Sequence, residues 1–164
     1  MKAIIEKTGQ LSNLFTDAMN WLAPGFLLGL RCYVALIFFR SGLTKINDFS
    51  STIALFENEY KVPVIAPVIA AYAGTAAEFV LPTLFVLGLF SRPVALAFFV
   101  FNLVAVVSYP DISDAGLQDH LLWGMMMLVV LFTGPGKLSA DHVLHRFFGK
   151  ANTSRQVPGL YPRR

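Results

Sequence analysis

Charge is scarce in this sequence. Lys, Arg, Asp and Glu make up 14% of its 164 residues, where a soluble domain carries about 25%. Thiols are scarcer still. The single cysteine, Cys32, excludes an intramolecular disulfide, a CxxC redox pair and a four-thiolate metal site. Electrons in any redox chemistry are therefore not stored on a dithiol of this chain. Three histidines supply neither zinc spacing nor a pair of intramembrane haem ligands. No phosphate loop and no nucleophile elbow is present either. The net charge of +3 and pI near 9.2 would suggest nucleic acid in a soluble protein. Here the basic residues cluster near predicted helix ends and the C-terminus, so they report membrane topology. Nucleic acid is not an expected partner.

Hydrophobic residues, by contrast, make up 55% of the chain, fifteen of them Phe, and mean hydropathy is +0.61. The stretch Gly25 to Lys45, GFLLGLRCYVALIFFRSGLTK, has roughly the twenty residues that a helix needs to cross a bilayer. Arg31 lies inside it, about 9 Å from the Gly25 end at 1.5 Å per residue. A charge at the centre of such a segment costs about 2.5 to 3.5 kcal/mol on insertion scales, so its position needs a reason.

Further spans are expected at about Pro67–Leu89, Pro93–Tyr109 and Asp119–Phe132. Residues 1–23 carry Ile4, Leu11, Leu14, Phe15, Ala18, Met19 and Leu22 near helical spacing. They predict an amphipathic helix in the membrane interface, anchored by Trp21 and ended by Pro24-Gly25. A cleaved signal peptide is not expected there. Phe49, Ile53 and Phe56 predict a short surface helix that ends before Pro63. Ser91 is a candidate cap and Pro93 suits a first helical turn. A polar loop, Pro110 to Gln118, leads to the fourth span, and Thr133-Gly134-Pro135-Gly136 ends it. Residues 137–164 read as an amphipathic segment (Leu138, Val143, Leu144, Phe147, Phe148) and a basic tail. The fold class is all-α. It is a polytopic membrane protein, a four-transmembrane-helix bundle over residues 24–136 with interfacial segments at both ends.

Four spans put both termini on one side of the membrane. Lys2, Lys7, Arg92, Lys137, Arg146, Lys150, Arg155, Arg163 and Arg164 share that side. The positive-inside rule makes it the cytoplasm.

Glu78 is the sharpest chemical signal, a carboxylate near the middle of the second span. Gly74, Thr75 and Pro82 share its helix face, which therefore faces protein. Arg31 is its natural depth-matched partner. Such a pair either fixes helix register or shapes a polar cavity. Arg40, Ser41 and Lys45 form a second basic group, which either snorkels to lipid phosphates or holds an anionic or quinone-type ligand. His120 beside Asp119 reads first as a solvated helix-end imidazole, and otherwise as a group that titrates near neutral pH. Asn102 most simply bonds across helices. Met125, Met126 and Met127 turn about 100° apart, so they cannot converge on one ion and read as core and lipid filling. Cys32 reads as a small hydrophobe. No metal site is expected.

The order of these features resembles the DoxX family. The resemblance lies in Arg31, then Phe38-Phe39-Arg40-Ser41-Gly42-Leu43-Thr44-Lys45 and Glu78-Phe79-Val80-Leu81-Pro82. It continues in Gly88-Leu89-Phe90-Ser91-Arg92-Pro93, His120 and Gly134-Pro135-Gly136-Lys137-Leu138-Ser139, covering about residues 25 to 141. It implies a four-helix protein of the bacterial inner membrane. Some relatives look like subunits of a quinone-reducing thiosulfate oxidoreductase. Others are tied to oxidative or thiol stress, or accompany operons for copper-binding peptides. The leading expectation is a quinone-linked oxidoreductase subunit, with quinone as ligand and an oxidoreductase as partner. Arg31 and Glu78 would then be catalytic, and Arg40, Lys45, His120 and Asn102 would meet the head group or an anionic substrate. The alternatives are a non-enzymatic anchor or accessory protein and, as a homo-oligomer, a small-solute transporter.

Overall fold

Apolar residues at three- and four-residue steps produce helices throughout. A computed structural model of the chain describes residues 2–153, with side chains from 7 to 147. Among the described residues there are six helices and no strand. They are α1 (Lys2–Asn47), α2 (Phe49–Asn58), α3 (Pro67–Leu87), α4 (Ser91–Ser108), α5 (Asp114–Thr133) and α6 (Ala140–Thr153). Helices α1, α3, α4 and α5 are each long and apolar enough to cross a membrane. Residues 154–164 of the expected basic tail and the Phe148 side chain lie outside what is described.

α1 and α4 each pack against both α3 and α5. The four spans thus form a square, with α1 and α4 on one diagonal and α3 and α5 on the other. The buried faces follow from helical spacing. Leu30, Val34 and Phe38 on α1 meet Phe85 on α3, Phe98 on α4, and Met127 and Val130 on α5. Phe98 is the hub. Its ring lies edge-on to Phe38 at 4.7 Å and to Phe85 at 5.4 Å between centroids. Met125, two positions before the buried Met127, is exposed, so the methionines do not share a face. Cys32 is exposed.

Three local expectations are corrected. Pro24 does not end a separate interfacial helix, because α1 runs through it as one helix of 46 residues. Proline removes one main-chain bond, a local cost that long apolar helices in membranes tolerate. Residues 23 and 24 both lie inside α1. At 1.5 Å per residue α1 is about 69 Å long, over twice the bilayer's hydrocarbon core of about 30 Å. The fourth span begins at Asp114, earlier than Asp119, because the Ser113 hydroxyl accepts from the Gly116 N–H at 3.1 Å and caps it. Ser91 does not cap α4. It is the first helical residue, and Phe90 occupies the cap position with φ 47°.

The true cap of α4 comes from far along the chain. Asp141 accepts from the Phe90 and Ser91 N–H groups, both at 2.8 Å, and its own N–H donates to the Gly88 carbonyl at 2.9 Å. The same corner explains Arg31. Its guanidinium donates to the carbonyls of Val86 (2.8 Å), Phe85 and Leu27 (both 3.4 Å), and Leu138. Phe85 and Val86 lie in the last turn of α3, where a cation is favoured, and Leu138 lies in the link between α5 and α6. Gly88 has φ 65° at the end of α3, and a Cβ there would collide with Arg31 and with Ser139, so glycine is required twice over.

Partial burial would raise the Asp141 carboxyl, but the hydrogen bonds from Ser91 and Phe90, with nearby His145, hold it below its ordinary value of 3.8. A depressed carboxyl contributes stability above its unfolded value that is lost as pH falls through its folded one. Wild type should therefore lose stability below about pH 4, and Asp141→Asn should flatten that part of the pH profile. Identical acid profiles in thermal melts would sink the assignment.

Candidate functional site

The end of the bundle opposite Arg31 is built differently. Ser41 and Lys45, one turn apart on α1, face Glu78 of α3. The Lys45 ammonium donates to both Glu78 oxygens, at 2.7 and 2.9 Å, and to Ser41 Oγ at 2.9 Å. Ser41 in turn donates to Glu78 Oε1 at 3.0 Å. Lys45 has three N–H donors and all three are used. Glu78 Oε1 accepts twice and Oε2 once, so Oε2 keeps capacity for another donor. Close approach of α1 and α3 here depends on Gly42, where a Cβ would lie 3.0 Å from the Phe79 ring and 3.2 Å from Glu78 Cβ.

Beside this triad lies a cavity of about 460 Å³. Its walls are mainly apolar, from Ile37, Phe38, Phe56, Ala73, Ala77 and Phe101. Polar groups enter at separate points: Ser41, Lys45 and Glu78, then Tyr60, Ser108, Tyr109 and His120, with Trp123 beside His120. An apolar chamber with a few fixed polar groups is the usual form of a small-molecule site.

His120 is not a solvated helix-end residue. It stands six residues past Asp114, the first residue of α5, half-buried, with its ring edge-on to Trp123 at 4.8 Å and to Phe38 at 6.2 Å. Asn102 of α4 locks it from behind. The amide Nδ2 donates to the His120 carbonyl at 3.0 Å, and Oδ1 lies 2.8 Å from Nδ1. With Oδ1 as acceptor, Nδ1 must carry the proton, and a neutral ring keeps Nε2 as its acceptor. Asn102 thus serves the site as an orienting residue.

The expected Arg31–Glu78 pair does not form. Arg31 binds carbonyls at positions 85 and 86, and seven residues of α3 separate Phe85 from Glu78, about 10 Å of axial rise. The antiparallel register of α1 and α3 brings Lys45, not Arg31, to Glu78. Arg40 is also set apart. It is exposed and does not line the cavity, since one residue from Ser41 is a turn of about 100° around the helix. Of the expected site residues, Glu78, Lys45 and His120 share one chamber, with Asn102 behind it.

Sequence reasoning missed Tyr60, Ser108, Tyr109 and Trp123. Tyrosines near span ends read as interfacial anchors, and a lone serine or tryptophan carries no periodic signal. Burial pushes the Tyr60 phenol above its ordinary value, with the Glu78 and Tyr109 charges adding to it, so it remains an O–H donor at neutral pH.

Residues 26–110 match the sequence profile of the DoxX family. That is more than half of the chain. This protein belongs to the DoxX family. A relative in Escherichia coli strain K12, Inner membrane protein YphA, is 31% identical over 130 residues, covering 72% of this chain and 89% of the relative. An uncharacterized protein of Haemophilus influenzae is 28% identical over 129 residues, covering 74% of this chain and 85% of that protein. No solved structure matches the chain. The matched region includes the Lys45–Glu78–Ser41 triad, Asn102 and Ser108 but stops before His120 on α5. The DoxX chain is a multi-pass membrane protein, and it meets lipid along the outer faces of its four spans.

Proposed function

We propose that this DoxX protein is a subunit of the bacterial inner membrane that binds a quinol-type amphiphile in the chamber between its spans. Glu78 and His120 act as the two proton acceptors. The observation that carries this reading is the pairing of walls. Glu78 lies on α3 and His120 on α5, diagonal corners of the square, and each retains an acceptor atom beside an apolar cavity. A ring bearing two hydroxyl groups has a donor for each wall, and its hydrocarbon tail matches the apolar lining.

Oxidation of a bound quinol releases two protons and two electrons. The protons pass to Glu78 and His120. The electrons require a partner oxidoreductase, since among the described residues no cluster of His, Cys, Asp and Glu could hold a metal ion and Cys32 is alone. Lys45, fully engaged by Glu78 and Ser41, holds the carboxylate in place. Positive-inside topology puts the chamber toward the outer face and both termini in the cytoplasm.

The test is purification in mild detergent with reductant present throughout, followed by extraction and assay of bound quinol. Glu78→Gln should remain folded and bind quinol about 10- to 100-fold more weakly, the loss expected for a charge-assisted hydrogen bond of about 1.5–3 kcal/mol. Equal quinol in both proteins would remove Glu78 from the site. No quinol in either would favour a non-enzymatic accessory role, which the exposed apolar residues Leu11, Leu14, Phe15 and Trp21 of α1 would suit as a docking surface.

A further inference from the structure

Ser108 closes α4 at the level of the chamber. Its residue is 3% exposed, it lines the cavity, and its hydroxyl has no hydrogen-bond partner. Helical serines ordinarily turn back to a carbonyl four residues earlier, as Thr75, Thr83 and Thr133 do here at 2.7 Å each. Ser108 makes no such bond. A buried hydroxyl left alone is unfavourable unless something else satisfies it.

The main chain holds this hydroxyl in position. The Ser108 carbonyl accepts from the Lys61 N–H at 2.7 Å, which ties the end of α4 to the segment carrying Tyr60 and Val62. α4 is diagonal to α1, so Ser108 faces the cavity from the corner opposite Lys45. Lys45 lies two residues from the end of α1 and Ser108 is the last residue of α4. The two are at the same end of the bundle, across the chamber from each other.

We propose that Ser108 is a third anchor for the ligand, donating its O–H to an oxygen of the head group. This rests on the reading of the chamber as a quinol site and adds a feature to it. Glu78 and His120 are acceptors, so they favour a hydroxylated ring. The Ser108 hydroxyl can donate to the same ring in either oxidation state, because both quinol and quinone oxygens carry lone pairs. Ser108 therefore holds the ring when its own protons have left, and it acts as a specificity residue for oxygen-bearing heads over plain hydrocarbon amphiphiles.

The assignment makes two effects of one substitution run in opposite directions. In the ligand-free protein Ser108→Ala removes an unsatisfied hydroxyl, so the melting temperature should rise. In the presence of a probe, decyl-ubiquinol kept reduced by excess dithionite, the same variant should bind about fivefold more weakly, as expected for one neutral hydrogen bond. Full-length protein in mild detergent would be titrated with the probe, following melting temperature and the fluorescence of Trp123 in a Trp21→Phe background. A fall in ligand-free stability, or unchanged affinity in a protein that binds the probe, would overturn the Ser108 assignment and leave the chamber reading intact. No binding by wild type would overturn both.

Discussion

Lys45→Met is expected to destabilise the folded protein by about 3–5 kcal/mol, because it leaves the Glu78 carboxylate buried without its cation. Both side chains are nearly inaccessible, 13% and 9% exposed, with the closest contact at 2.7 Å. Ser41 alone would remain to donate to Glu78. The decisive comparison is with the double variant Lys45→Met/Glu78→Gln. Removing both charges from a buried pair is often close to neutral, so the double variant should recover most of the lost stability. Detergent-solubilised thermal unfolding measures both. A Lys45→Met protein as stable as wild type would mean that the pair is open to solvent or lipid headgroups in a way the packing does not provide for. If instead the double variant is stable but binds no quinone, the pair serves the ligand more than the fold.

Arg31→Ala should have an effect of similar size for a different reason. Arg31 is fully buried and donates to four carbonyls, of which that of Phe85 also accepts from the Gly88 N–H at 3.2 Å. Each buried acceptor left unsatisfied costs about 1–3 kcal/mol, so a total of about 3–5 kcal/mol is expected. Arg31→Lys should recover only part of it, because an ammonium cannot reproduce the flat fork that reaches α3 and Leu138 together. Quinone bound per folded molecule should be unchanged in both variants, since Arg31 is at the other end of the bundle from the chamber. A specific loss of quinone from well-folded Arg31→Lys protein would reverse this and return Arg31 to the site.

These two residues also show where sequence reasoning stopped. Arg31 and Lys45 lie on one face of α1, fourteen residues apart, and either had the charge to partner Glu78. Depth estimated from span ends favoured Arg31. The choice depends on how far α1 is slid along α3, and periodicity does not encode that sliding. It is set by contacts such as Gly42 against Phe79 and Arg31 against the end of α3. The surroundings of His120 depend on tertiary structure in a related way. Asp119 beside it suggested a helix end, but Ser113 starts α5 five residues earlier and carries the imidazole inward to Asn102. Pro24, a strong stop signal in a soluble helix, lies inside α1 because one missing bond does not outweigh the helix on either side.

Composition and spacing establish the class of the molecule and its inventory of polar groups. Long apolar runs must become helices in a bilayer, where every main-chain group has to be bonded within its own segment. An intramembrane Glu, Lys, Arg, Asn or His faces other helices or, near a span end as at Arg40, reaches for the interface. Those requirements are local, so composition and spacing express them. The tertiary structure alone decided which polar groups meet. It put Glu78 with Lys45 and Ser41, His120 with Asn102, Arg31 on the carbonyls ending α3, and Ser108 at the wall of the chamber without a partner. Each of these depends on helix rotation and axial offset between segments distant in the chain, quantities fixed by the packing of whole faces rather than by any residue's own neighbours.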